Sequence, residues 1–197
     1  MKKILIATTN SHKLDEIIKI FEGKFMLKSL KEFPDIDEPD EPYETFMENA
    51  VHKAKHYAKL TGLSVISEDA GFCIESLDSF PGVYSKRFIE QSGSLENAFS
   101  ILDQKLQNFE NKNAFFNCSA VFYDPSSKDC LIQSEGIVNG KVRFPPAGDY
   151  GMAYDHIFVP DGFDKTFSEL GMEIKNSMSH RSKAMKQLAE KIEAKLN

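Results

Sequence analysis

The stretch ILIATTNSHKLDEIIKIF, residues 4–21, constrains this chain more than any other. Its opening run, Ile4 to Ala7, is too short for a membrane span or a signal-peptide core, and its β-branched content suits a buried strand. Leu14, Ile17, Ile18 and Phe21 then recur at i, i+3, i+4 and i+7, the spacing of one helix face, with Asn10 or Ser11 available as the cap. A strand therefore feeds a helix through the tight polar turn TTNSHK, which calls for an α/β protein. Free N–H groups at a helix start, small polar side chains and Lys13 make a place for an anion such as phosphate. Taken alone, the stretch fits an ordinary capped turn with a solvated lysine better.

The remaining pattern extends this beginning. The acidic, proline-bearing segment KEFPDIDEPDEPYE reads as a loop within the domain, because the roughly 30 residues before it are too few to fold alone. A helix follows over TFMENAVHKAKHYAKLTG, with Thr45 and Glu48 as a capping box and Gly62 as its stop. Met47, Ala50, Val51, Ala54 and Ala58 form its apolar stripe and leave Asn49, Lys53 and His56 on another face. LSVIS is a strand that ends in the acidic pair Glu68 and Asp69. SLENAFSILDQKLQNF is a helix, AFFNCSAVFYD and DCLIQSEGIVNGKV are strands joined at PSSK, and AYDHIFVP is strand-like. Thr166 and Glu169 cap another turn. A final helix starts near Ser179 and turns Ala184, Met185, Leu188 and Ile192 to the core. Early alternation of strands and helices with a hairpin in the middle predicts a mixed sheet.

At 197 residues the chain is long enough to bury a core and is expected to form one domain, 1–197. A net charge of −6 argues against broad binding to nucleic acid or anionic membranes, yet leaves room for a small polyanion held by a local cation cluster. Cys73, Cys118 and Cys130 are odd in number and lack CxxC spacing, so reduced thiols in a cytoplasmic protein are expected, with Cys73 and Cys118 in the core. No targeting segment, lipidation signal or repeat is visible.

Several stretches carry candidate chemistry. SEDAGF places two carboxylates at the expected carboxyl end of a strand, where open α/β sheets bind ligands, and such a pair suits a hard cation like Mg²⁺. It fits a solvated acidic turn equally well. FPGVYSKRF has Pro-Gly turn chemistry and the cations Lys86 and Arg87, which in isolation mark a surface turn. GDYGMAYDHIFVP brings glycines, tyrosines and an aspartate to a strand, where they can line a ring-shaped ligand or simply close a loop on core aromatics. In IKNSMSHRSKAM, His180 and Arg181 fall in the first turn of a helix, where cations oppose the helix dipole by roughly 0.3–1 kcal/mol. That placement, with Lys175 upstream, invites a functional explanation.

Taken in order, TTNSHK, ETFMENAVHKA, SEDAGF, FPGVYSKRF, GMAYDHIF and SHR resemble the non-standard purine NTP pyrophosphatases, the inosine triphosphatase family. The resemblance covers nearly the whole chain. It implies an elongated mixed β-sheet with two α/β lobes flanking a central nucleotide-binding cleft, usually as a homodimer. It further implies hydrolysis of ITP, dITP and XTP to the monophosphate and pyrophosphate, which removes deaminated purines from nucleotide pools. By the same resemblance Thr8, Thr9, Asn10, Ser11, His12 and Lys13 cradle the triphosphate with help from Lys53. Glu41 and Asp69 hold Mg²⁺, and Asp69 is the general base. Ala70, Met152, Ala153, Tyr154, Asp155, Lys175, His180 and Arg181 contact the nucleotide. Donors near His180 and Arg181 would donate to the C6 oxygen of hypoxanthine or xanthine and be left unpaired by the amino group of adenine, a discrimination on the order of 10⁴ or more. Two positions depart from the family pattern: Met152 stands where an aromatic is usual, and Ala70 where a serine is common. A pyrophosphatase for other modified nucleotides and a non-catalytic nucleotide-binding module are the rival expectations.

Overall fold

A computed structural model describes residues 2–127 and 131–196. Among these residues seven strands make one mixed sheet, and the chain divides into two compact units. One unit comprises residues 1–69, 118–136 and 181–197; the other comprises 70–117 and 137–180. The strands are β1 (Lys3–Ile6), β2 (Met26–Ser29), β3 (Ser64–Ile74), β4 (Pro81–Gly82), β5 (Asn113–Tyr123), β6 (Leu131–Val142) and β7 (Phe158–Pro160). Their order is β2-β1-β3-β5-β6-β7, with β4 paired to β3. β1 runs parallel to both β2 and β3, whereas β4 is antiparallel to β3 and β7 to β6.

In the first unit, α1 (Ser11–Phe21), α2 (Phe46–Thr61) and most of α7 (His180–Leu196) accompany the strand segments. Asn10 caps α1 by accepting from the Lys13 N–H at 3.2 Å. Thr45 caps α2 in the same way, but only half of the expected capping box forms: the Glu48 carboxylate takes the Thr45 hydroxyl at 2.6 Å. Gly62 stops α2 in a left-handed conformation that glycine adopts without strain. Leu5, Val65, Val121 and the small face Ala50, Ala54 and Ala58 share one core cluster. Ile4 and Ile6, on the opposite face of β1, are buried too, as expected of a central parallel strand. The α7 residues named from the pattern, Ala184, Met185, Leu188 and Ile192, are all fully buried.

The second unit contains α3 (Ser85–Ser92), α4 (Leu95–Leu106), α5 (Phe167–Leu170) and α6 (Met172–Met178). Its core is aromatic: Phe72, Phe116, Phe158 and Phe167 pack with centroids 5–6 Å apart, and Tyr154 stacks on Phe72 at 4.9 Å. Thr166 and Glu169 form the expected capping box.

Three expectations are corrected. β3 does not end at Glu68 and Asp69; it continues to Ile74, because Phe72 and Cys73 find ladder partners in Gly82 and Pro81. AYDHIFVP is not one strand: Ala153–His156 form a 3₁₀ turn, and only Phe158–Pro160 are extended. The Asp155 carboxylate accepts the Met152 N–H at 2.7 Å and winds the segment up. SKRF is a helical start rather than a surface turn, with Lys86 exposed and the Arg87 guanidinium 5.1 Å from the Tyr84 ring. Cys73 and Cys118 are buried, with burial raising the Cys73 thiol to about 12. Cys130 lies outside the described residues.

Candidate active site

The first unit gathers its functional groups around two neighbouring residues of β3. Side chains alternate along a strand, so Asp69 shares a face with Val65 and Ser67 while Glu68 projects to the other. α2 covers the first face: the Ser67 hydroxyl donates to the Ala50 carbonyl at 2.6 Å, and Val65 packs with the alanine stripe. That docking sets Asn49 and Lys53, one helical turn apart, against Asp69. Both are buried, so the face expected to be separate from the stripe is covered as well. The two acids of SEDAGF therefore do not form one cation site.

The carboxylates that do converge are Asp69 and Glu41, and Lys53 joins them. Its ammonium lies 2.5 Å from Glu41 Oε1 and 3.4 Å from Asp69 Oδ1. Asn49 fixes the geometry from within the helix. Its amide donates to Asp69 Oδ2 at 3.2 Å and to the Tyr43 carbonyl at 3.1 Å, and its oxygen accepts the Tyr43 N–H at 3.0 Å. The acidic loop is thus pinned two residues beyond Glu41. Burial raises the Asp69 carboxyl, partly opposed by Lys53. Burial pulls Lys53 down, but Asp69 and Glu41 outweigh it and leave the ammonium raised.

On the other face, Glu68 is met by α1 and α7. Its Oε1 lies 2.9 Å from Lys13 Nζ, and its Oε2 accepts from Arg181 Nε at 2.7 Å and from the Cys118 thiol at 3.3 Å. Arg181 also donates to Glu16 Oε2 at 2.9 Å. Burial alone would raise Glu68, yet Arg181 and Lys13 hold it well below the usual carboxylate range. The two carboxylates supply the partners that an arginine in the first turn of a helix lacks from the dipole. The turn leading into α1 is open by comparison: Thr8 and Lys13 are partly exposed, and Thr9, Asn10, Ser11 and His12 are exposed.

The second unit holds the rest of the expected nucleotide contacts. Asp155 Oδ2 accepts from Lys175 Nζ at 2.6 Å as well as from the Met152 N–H, and both charged groups are buried. Gly151 is required beside them: its φ is +88°, and a Cβ there would lie 2.5 Å from Asp155 Oδ2. Ala153 holds a φ of 49°, unusual for a residue with a Cβ. Met152 is exposed and Ala70 half-buried, whereas the Tyr154 ring is buried and its hydroxyl donates to the Ser85 carbonyl at 2.8 Å. The His180 ring lies flat on Phe116, 4.8 Å away at an interplanar angle of 9°.

The Ham1 family model matches residues 4–191 of this sequence. The chain belongs to the Ham1 family. Similar proteins are found by sequence and by structure. A dITP/XTP pyrophosphatase of Dictyoglomus thermophilum is 40% identical over 188 residues, covering 94% of this chain and 91% of its own. One from Bacillus subtilis is 38% identical over 197 residues, covering 98% of each. The solved Ham1 protein of Staphylococcus aureus superposes with a TM-score of 0.89 at 32% identity, over 98% of this chain and 100% of its own.

Two residues of this arrangement, Glu16 and Asn49, were not legible in the sequence, and Glu68, read there as the cation-binding partner of Asp69, instead meets Lys13 and Arg181. Asn49 carried one signal, its position a single turn before Lys53. Glu16 and Glu68 are far apart in sequence and meet only through Arg181.

Proposed function

We propose that this chain is a Mg²⁺-dependent nucleoside-triphosphate pyrophosphatase that hydrolyses ITP, dITP and XTP to the nucleoside monophosphate and pyrophosphate, and so clears deaminated purines from nucleotide pools. The observation that carries this reading is the Lys53 ammonium lodged against the carboxylates of Glu41 and Asp69. A cation already sits where two acids converge, and hard carboxylate oxygens are the donor set that Mg²⁺ takes while it keeps sites for water and phosphate. Glu41 and Asp69 would hold the metal, which supplies charge neutralisation at the phosphate oxygens. Curated relatives named for dITP and XTP support the substrate class.

Each group then has a task. Lys13 and Lys53 offset charge on the triphosphate, with Thr8, Thr9, Asn10, Ser11 and His12 offering hydroxyls, amide and N–H groups at the start of α1. Asp69 accepts a proton from the attacking water at its carboxylate, a role suited to a carboxyl raised by burial. Asn49 keeps that carboxylate oriented. Ala70, Met152, Ala153, Tyr154, Asp155, Lys175, His180 and Arg181 receive the nucleoside. Met152 offers a thioether face to the purine instead of a ring.

The same reading makes residues 1–197 one folding domain, supported by β3, β5 and β6, each of which contributes residues to both units. A single unfolding transition by two probes checks it. No helix among the described residues is long and apolar enough to cross a membrane. A cytoplasmic homodimer completes the reading, on the family resemblance, and equilibrium sedimentation tests the dimer.

Incubation with ITP or ATP in Mg²⁺, with products resolved as pyrophosphate or orthophosphate, tests the function. IMP and pyrophosphate from ITP, with little from ATP, is the expected result. Turnover of both would overturn the base selection. ITP binding without turnover would make the chain a nucleotide-binding module.

A further inference from the structure

Glu68 is the buried group that the proposed chemistry leaves without a task. It stands next to the general base in sequence, yet the pleat of β3 turns it away from Asp69 and Lys53. Its side chain is 2% exposed, and both of its oxygens face cations. Each oxygen has a different cation: Oε1 takes Lys13 and Oε2 takes Arg181. Two residues 168 positions apart (181 − 13) are thus fixed by one carboxylate.

These cations differ in what remains available. Lys13 has three donors, and its side chain is 26% exposed, so its ammonium meets Glu68 on one side and solvent on another. Arg181 is 5% exposed and is held by Glu16 as well. A carboxylate that bridges a half-open lysine and a sealed arginine does more than neutralise charge, since one buried pair would suffice for that. It fixes the two donors at a set spacing, which flexible lysine and arginine stems do not do for themselves.

We infer that Glu68 is a positioning residue that couples phosphate binding to base selection, holding Lys13 for the triphosphate with one oxygen and Arg181 for the base with the other. The inference rests on the pyrophosphatase reading above, in which Lys13 serves the triphosphate and Arg181 the nucleoside. Cys118 supports the carboxylate from behind through its thiol. A merely structural Glu68 would stabilise the protein and leave selectivity alone. A coupling Glu68 predicts that one substitution damages both ends.

The test is Glu68→Gln, which keeps the shape and one acceptor oxygen but removes the charge. Two quantities are read on the folded variant, with thermal melting as the check of folding. One is inhibition by pyrophosphate, a probe of the phosphate end. The other is the ratio of kcat/KM for ITP to that for ATP. Both are expected to fall by tenfold or more in Glu68→Gln, whereas Lys13→Met weakens pyrophosphate inhibition and leaves the ratio within about twofold, because Arg181 keeps Glu68 and Glu16. A Glu68→Gln variant that loses only one of the two properties, or neither, overturns the coupling. If Glu68→Gln does not fold, Glu68→Asp preserves the charge while shortening its reach by a methylene. It must then lose both properties together, and retention of either one overturns the inference. The wild-type ratio is the separate control: an enzyme that does not prefer ITP fails the functional reading before Glu68 is changed.

Discussion

The two units bury their interiors by opposite means. Residues 1–69, 118–136 and 181–197 enclose Glu68, Asp69, Lys53, Arg181 and Asn49, a network of charges and an amide, beside an alanine-faced helix. Residues 70–117 and 137–180 enclose a cluster of phenylalanines around Tyr154, with Asp155 and Lys175 as one tight ion pair. Buried ions contribute little net stability and leave a large penalty when a partner is removed, whereas aromatic packing stabilises directly through area. The first unit is built to hold charges at fixed places, and the second to hold a shape. Substitutions that strike chemistry should therefore concentrate in the first and those that strike stability in the second.

The largest effect expected is Asp69→Asn. The amide keeps the volume and the Asn49 contact but accepts no proton, so kcat for ITP should fall by about 10²–10⁴-fold while equilibrium titration still shows nucleotide binding. Appreciable residual kcat would remove Asp69 from the role of base. Next comes Phe116→Ala. Phe116 touches Phe72, Phe158, Phe167 and the His180 ring, and truncation in such a setting costs about 3–5 kcal/mol. In a chain of this size that lowers Tm by on the order of 10 °C. A melt within a few degrees of wild type would mean that the aromatic core relaxes around the gap, and the contrast between the units would lose its basis.

Acid separates the two neighbouring carboxylates of the first unit. Glu68 has a folded-state pKa below its unfolded value of about 4.5, so the unfolded chain binds the extra proton. Its contribution to stability is present above that unfolded value and is lost as pH falls through the folded one. Denaturant melts of wild type between pH 7 and pH 3 should show this loss, and Glu68→Gln should flatten it. Asp69 has the opposite sign: its raised carboxyl must ionise to act as base, so the acid limb of kcat/KM lies above 3.8. An acid limb at or below that value would mean that the proposed base is more exposed to water than the fold allows.

The same division explains how much was legible in the sequence. Local signals carried far: the Asn10 and Thr45 caps, Gly62, the Thr166–Glu169 box and the four buried residues of α7 all follow from spacing along one element. Ordered motifs pointed to Asp69, Lys53 and Lys13 together, and the fold sets Lys53 against Asp69 but Lys13 against Glu68. Two kinds of information were hidden. The extent of β3 depends on β4, a two-residue strand that exists only through its pairing, so spacing alone reads the acidic pair as a strand end. The partners of Arg181 come from α1 and β3, and no spacing reveals them. The awkward first-turn arginine invites a functional reading from the sequence, and what the fold supplies is two carboxylates from elsewhere, Glu16 and Glu68.

The smallest effect tests whether the second unit is as tightly sealed as its rings suggest. Thr45 and Thr166 cap helices of the two units through the same contact, a hydroxyl accepting the N–H three residues on. Thr45 is exposed, so Thr45→Ala should cost about 1 kcal/mol, the usual worth of a cap. Thr166 is fully buried, and its hydroxyl also donates to the Ala147 carbonyl at 2.9 Å. Thr166→Ala removes the cap and strands that carbonyl, which adds about 1–3 kcal/mol where water cannot enter. Urea titration of both variants gives the difference directly. A clear excess for Thr166 means that the Ala147 carbonyl stays unpaired and that this part of the unit is dry. Equal losses mean that water reaches Ala147, and the contrast between a charged unit and a sealed one then holds for the aromatic cluster but not for the loop that carries Met152.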